Sequence, residues 1–100
     1  MTEPRSIDPA SLRLYVVTSA AFRGRSHVDV AAAAIDGGAS AVQLRAPELA
    51  GYEVYVLAKE LVMRCRAAGV RLLVNDLVDV AVAARADGAH VGQGLSLIHI

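Results

Sequence analysis

One cysteine, Cys65, stands alone among 100 residues, so this chain can build neither an internal disulfide framework nor a cysteine-based zinc site. An excess of charge of one sign is also missing. Ten basic and ten acidic side chains cancel to a formal charge of zero, which leaves no basic stripe for nucleic acid and no polybasic segment for a membrane surface. Partners of either kind are not expected. No apolar run approaches the ~18 residues of a spanning helix, and residues 1–10 carry Glu3, Arg5 and Asp8 where a secretory leader needs an apolar core. The chain therefore reads as cytoplasmic. Nucleotide-binding glycine fingerprints are lacking too: neither GxGxxG nor GxxxxGK followed by Ser or Thr occurs. What is present is 55% apolar and 20% charged with no low-complexity tract, the composition of one globular unit with a modest core.

Extended apolar segments alternate with helical ones along the chain. Residues 12–18 predict a first strand, followed by a loop through Phe22, Arg23, Gly24 and Arg25. Ser26 has the character of an N-cap with Asp29 three positions on, and Val28, Ala31, Ala32 and Ile35 mark a helical face that Gly37 and Gly38 stop. Residues 40–45 predict a second strand. Residues 53–68 predict a second helix with an inner stripe of Val54, Leu57, Ala58, Leu61, Cys65 and Ala68, and Glu60 and Arg64 paired outside. A third strand over 71–75, a short helix over 78–86 and a fourth strand over 89–92 complete the rhythm. Gly38, Gly69 and Gly88 recur at one structural place, the loop where a helix ends in a left-handed residue before an apolar strand.

The repeated unit is βα. Strands separated by helices of this length run parallel with right-handed crossovers, which leaves a (β/α) barrel or a doubly wound open sheet. Strand two decides between them. Val42 and Leu44 share one face while Gln43 and Arg45 share the other, so one side is helix-facing and the other ends in polar groups, as in a barrel lumen opening at its mouth. The expected fold class is α/β, a partial TIM (β/α)8 barrel of about four βα units, half of what a complete one needs. On that reading the chain is truncated: residues 1–11 are an N-terminal extension and 12–94 the half barrel. Residues 95–100 add an apolar burst where a polar loop should begin, which fits a foreign or out-of-frame ending. In such a product the edges of strands one and four are expected to be unpaired.

Two strand endings, residues 41–45 and 72–76, finish apolar runs with Gln43, Arg45, Asn75 and Asp76. Polar groups there are costly unless something binds them, and ligands of parallel α/β folds sit at the strands' carboxyl ends. Arg45 supplies a planar fork of donors suited to a diphosphate or carboxylate, and Gln43, one layer below, can donate to and accept from a heterocycle. Asp76 can hold a hard cation, with magnesium the expected ion because it binds one or two carboxylates plus substrate phosphates, and Asn75 can reach the same phosphate oxygens. The plainer alternatives are Asp76 as the N-cap of the third helix and Arg45 as its ion-pair partner. Elsewhere the structural readings lead. Cys65 is a small apolar filler, His27 a first-turn helix residue at the surface, and Arg23 and Arg25 are solvated. His90 reads as a satisfied core histidine, with acid or base work as its sharper alternative. No catalytic acid or base is assigned.

Four segments in order, Val42-Gln43-Leu44-Arg45, residues 69–76, Val78-Asp79-Val80-Ala81 and residues 86–93, resemble those of the thiamine phosphate synthase and TenI family, a TIM barrel. The resemblance spans residues 12–93. It implies a transferase that joins hydroxymethylpyrimidine diphosphate to thiazole phosphate and releases diphosphate, with Gln43 on the pyrimidine, Arg45 and Asn75 on the diphosphate, and Asp76 on Mg2+. Two positions depart from the family pattern: Pro47 stands where a lysine is usual, and Leu95 where a second metal-binding aspartate is expected. TenI-like thiazole tautomerases, which need neither magnesium nor a diphosphate, are the alternative enzyme class. A non-catalytic half barrel that self-associates is the third reading. The coding DNA beyond codon 94 tests the foreign ending: a frame shift or junction there is expected, and an uninterrupted frame into further βα repeats contradicts it.

Overall fold

The computed structural model describes residues 14–18 and 26–91, together with the backbone of 96–99. The N-terminal extension and Arg23, Arg25, Gly92, Gln93 and Leu95 lie outside the described residues. Among the described residues, five strands and three helices follow one another: β1 (Tyr15–Val17), α1 (His27–Asp36), β2 (Ala41–Leu44), α2 (Gly51–Ala68), β3 (Arg71–Asn75), α3 (Val78–Ala84), β4 (Gly88–Val91) and β5 (Ser96–His99). Their sheet order is β1-β2-β3-β4-β5, the same as their order in the chain. The first four strands are parallel, with Val16 beside Val42, Val42 beside Leu72, and Val74 beside Ala89.

Sequential parallel strands joined by helices coil in one direction, so the helices gather on one face. The core shows this directly. Val42, Leu44, Leu72, Val74 and Ala89 pack with Ala31, Val54, Ala58, Leu61, Cys65, Val80 and Ala81 in a single buried cluster. Leu44, Leu61 and Leu72 are sealed from solvent, and burying each contributes about 1.5–3 kcal/mol. Side chains alternate along a strand, so the opposite face carries Tyr15 and Val17, Ala41 and Gln43, Arg71, Leu73 and Asn75, and Gly88 and His90. Within α2 the buried stripe is Val54, Ala58, Leu61, Val62 and Cys65. Val62 therefore joins the expected stripe, Leu57 is only partly buried against it, and Ala68 is exposed.

All three helices end in the same way. In α1 the N–H of Ala39 donates to Ala34 and that of Gly38 to Ile35; in α2 Val70 donates to Cys65 and Gly69 to Arg66; in α3 Ala86 donates to Ala81 and Arg85 to Val82. Each is a Schellman pair, and it requires a left-handed residue at its centre. Gly38 (φ 91°) and Gly69 (φ 73°) supply it as expected, but the third member is Arg85 (φ 63°) and not Gly88. The third helix stops two residues earlier than the pattern 78–86 suggests, so Gly88 already lies inside β4. Buried Asp87 then ties the strand down, its Oδ2 accepting from Leu72 N at 2.8 Å while its own N–H donates to Leu72 O at 2.9 Å.

β5 runs antiparallel to β4, with Ser96 opposite Val91 and His99 opposite Gly88. The edge of β4, expected to be bare, is thus covered, which removes one row of unpaired backbone groups. A Cβ costs about 1–2 kcal/mol in the left-handed region. Gly69→Ala is therefore expected to lower the unfolding free energy by roughly that amount, and Arg85→Gly to raise it by less than about 1 kcal/mol, glycine's added chain entropy offsetting part of the gain. Urea titrations of the two variants check the opposite signs.

Candidate functional site

The carboxyl ends of β2 and β3 lie side by side. Leu44 pairs with Val74, so one step further along the same two strands come Arg45 and Asn75, both on the pleat parity of Gln43. Gln43 itself is buried, and its amide nitrogen donates to the hydroxyl of Tyr15 on β1. Burial pushes the Tyr15 phenol above its ordinary value, with the Gln43 hydrogen bond acting in the opposite direction. Arg45 is exposed at the rim. Asn75 is half-buried, and the β3–β4 ladder continues past it through Asp76 N, which donates to His90 O at 2.7 Å.

Asp76 has φ of 64°. Aspartate is one of the few side chains that visits the left-handed region, and such residues cluster at ligand-holding turns because the surrounding structure must hold them there. The N-cap alternative does not materialise: Leu77 is the N-cap of α3, without a side-chain cap bond. Asn75 and Asp76 line a cleft of about 260 Å³ whose opposite wall is the β2α2 loop, with Ala46, Pro47 and Leu49. Arg45 does not line it. The four polar residues singled out from sequence are thus split: Gln43 lies in the inner layer, Arg45 is exposed at the rim, and Asn75 and Asp76 open onto the cleft. A larger groove of about 840 Å³ follows the outer face of α2 past Tyr52, Val56 and Met63 and shares only Leu49 with the cleft.

A second set of groups was not anticipated. His27 is 5% exposed, not a surface residue, because its ring inserts between the end of β1 and the β2α2 loop. Its Nδ1 lies 2.7 Å from Thr18 Oγ1 and its Nε2 2.7 Å from Glu48 Oε2. Thr18 Oγ1 in turn accepts from the backbone N–H of Arg45 at 3.2 Å. A carboxylate only accepts, which assigns the proton to Nε2 and leaves Nδ1 to accept from the Thr18 hydroxyl; every group is then satisfied by a neutral imidazole. The His27 hydrogen bond holds the Glu48 carboxyl below its ordinary value of 4.5, with its own backbone N–H and, more weakly, the charge of Arg45 acting in the same sense. The sequence signal was slight: Thr18 directly after a strand, and Glu48 three residues past Arg45. Among the described residues no group of three or more His, Cys, Asp or Glu side chains is placed to hold a metal ion, and no helix is long and apolar enough to cross a membrane.

A parallel sheet wound in one direction, with helices on one face and a polar rim at its carboxyl ends, is an arc of a (β/α) barrel. The family described as thiamine monophosphate synthase matches residues 14–96. The thiamine-phosphate synthase of Chloroflexus aurantiacus is 55% identical over 82 residues, covering 81% of this chain and 38% of that protein. The chloroplastic thiamine biosynthetic bifunctional enzyme TH1 of Arabidopsis thaliana is 46% identical over 89 residues, 86% of this chain and 17% of that protein. Among solved structures, a thiamine phosphate pyrophosphorylase from Pyrococcus furiosus superposes with a TM-score of 0.74 at 35% identity, covering 79% of this chain and 38% of that one. The chain belongs to the thiamine monophosphate synthase family. It spans under two fifths of the length of these relatives.

Glu48 yields a pH prediction. Its folded pKa is depressed, so its contribution to stability is present above the ordinary carboxylate range and is lost as pH falls through the depressed value. Between about pH 6 and about pH 3, Glu48→Gln is expected to lose less melting temperature than the parent chain, since it lacks this proton linkage. Parallel acid-side thermal melts test it; identical losses contradict it.

Proposed function

We propose that this chain is the amino-terminal half, residues 12–94, of a thiamine phosphate synthase, a transferase that condenses hydroxymethylpyrimidine diphosphate with thiazole phosphate. The observation that carries the reading is the placement of Arg45 and Asn75 on adjacent parallel strand ends, on the pleat parity of Gln43, with Asp76 following in a strained turn. Family membership supports it. In the reaction, the bond between the pyrimidine methylene and the diphosphate oxygen breaks, the diphosphate leaving with the electron pair. The thiazole nitrogen then donates its lone pair to the resonance-stabilised cation and the carbon–nitrogen bond forms. Such chemistry needs stabilised leaving-group charge and alignment more than a strong base.

The chain's own residues match those needs. Arg45 presents paired N–H donors to the diphosphate, where charge-assisted hydrogen bonds are strongest. Asn75 donates to the same oxygens from the next strand. Gln43, oriented by Tyr15, reads the pyrimidine ring from the layer below. Asp76, exposed and lining the same cleft as Asn75, is the residue that would hold Mg2+, an ion commonly bound by one or two carboxylates plus substrate phosphates. When bound, the ion neutralises charge developing on the leaving diphosphate. A cytoplasmic location belongs to the same proposal.

Pro47 favours a second reading. It lines the cleft with Asn75 and Asp76 at the place where the family pattern has a lysine, and a rim short of one cation suits a TenI-like thiazole tautomerase that binds no diphosphate. Isothermal titration of the full-length protein with the pyrimidine diphosphate, with and without magnesium, separates the two. Magnesium-dependent binding is expected, weakened about 10- to 100-fold in Arg45→Ala and stripped of its metal dependence in Asp76→Asn. Binding indifferent to the metal favours the tautomerase.

A further inference from the structure

Beside the rim lies the hydrogen-bonded chain from Glu48 through His27 and Thr18 to the backbone of Arg45, and its three side chains have no part in the reaction just described. We infer that Thr18, His27 and Glu48 are positioning residues, a latch that fixes the β2α2 loop so that the Arg45 guanidinium is held ready for a diphosphate-bearing ligand. The inference rests on the proposed role of Arg45.

The loop is pinned at two points three residues apart. At its start, the N–H of Arg45 donates to Thr18 Oγ1; further along, the carboxylate of Glu48 accepts from His27 Nε2. Between and just beyond the pins, Leu49 N donates to Ala46 O at 3.1 Å, closing a turn in which Pro47 fixes its own φ. Both pins end on the β1α1 unit, Thr18 just past β1 and His27 opening α1. Thr18 is fully buried and His27 nearly so, so water does not compete for the inner hydrogen bonds, and such bonds are stronger in a low-dielectric interior.

Two features direct the latch toward the ligand site rather than toward the core alone. Its inner end stops on the peptide group of Arg45 itself. Its outer end, Glu48, is half-exposed and three residues past Arg45, whose charge adds a minor part to the fall in the Glu48 pKa. A fixed loop gives up less freedom when a ligand binds, and that preorganisation appears as affinity.

The test is isothermal titration of the full-length protein with inorganic diphosphate and magnesium. Glu48→Ala and Thr18→Val are expected to bind about tenfold more weakly, the effect of roughly one lost hydrogen bond, while Thr18→Ser keeps the hydroxyl, Glu48→Gln keeps an acceptor oxygen for His27, and both bind within a few-fold of the parent. Circular dichroism establishes that each variant is folded. Should Thr18→Val fail to fold, Glu48→Ala at the half-exposed end decides. Equal affinity in the parent and Glu48→Ala overturns the latch alone. Absence of diphosphate binding by the folded parent overturns the latch together with the proposed role of Arg45.

Discussion

Because the helices cover one and the same face of four parallel strands, every second side chain along β2 and β3 is committed to the apolar core and its neighbours are turned away from it. Val42, Leu44, Leu72 and Val74 accept that commitment. Gln43 and Asn75 occupy the alternate positions, and Arg45 continues their parity past the end of β2. A shift of one residue in the pairing of β2 with β3 would exchange the two sets, burying the amide of Asn75 in a hydrocarbon core. The same constraint that holds the sheet together thus sets which groups reach the rim.

The helix ends refine that placement. A Schellman turn after each helix delivers the chain to the next strand through a tightly specified geometry, so the start of β2, β3 and β4 is set by the preceding helix. Among the described residues, two nonglycine side chains bear the left-handed conformation, Asp76 and Arg85, and they differ in meaning. Arg85 closes α3 at the amino-terminal end of the sheet, where its strain serves connection only. Asp76 sits at the carboxyl end, beside the cleft, where its left-handed backbone is strain of the kind that clusters at ligand-holding turns.

Much of this was legible from residues alone, wherever the information was local. The period-two alternation of β2 identified its two faces, Ser26 was recognisable as the N-cap whose hydroxyl accepts from Asp29 N, and Gly38 and Gly69 marked their turns. Gly88 misleads because glycine is the usual left-handed residue, yet α3 ends at Ala84, four residues before it, and Arg85 takes the strain. The remaining surprises depended on distant partners. Nothing near His27 in sequence signals burial; its environment is made by Glu48, 21 residues away, and by Thr18. Tyr15 and Gln43 meet only because β1 and β2 are parallel neighbours across 28 residues. Gln43, Arg45, Asn75 and Asp76 lie at or just past strand ends, as the sequence pattern predicts, but Asp76 opens onto the cleft through a left-handed turn that no sequence periodicity encodes.

The central claim is that Arg45, Asn75 and Asp76 serve one anionic ligand at the carboxyl rim. Amide chemical-shift mapping of the full-length protein during a titration with magnesium diphosphate addresses it most directly. The account predicts that the amides of Arg45, Asn75 and Asp76 shift together along one saturating curve while Tyr52, Val56 and Met63 on the outer face of α2 stay still. Shifts confined to that helix face, or a response of Asp76 without Arg45, would contradict it.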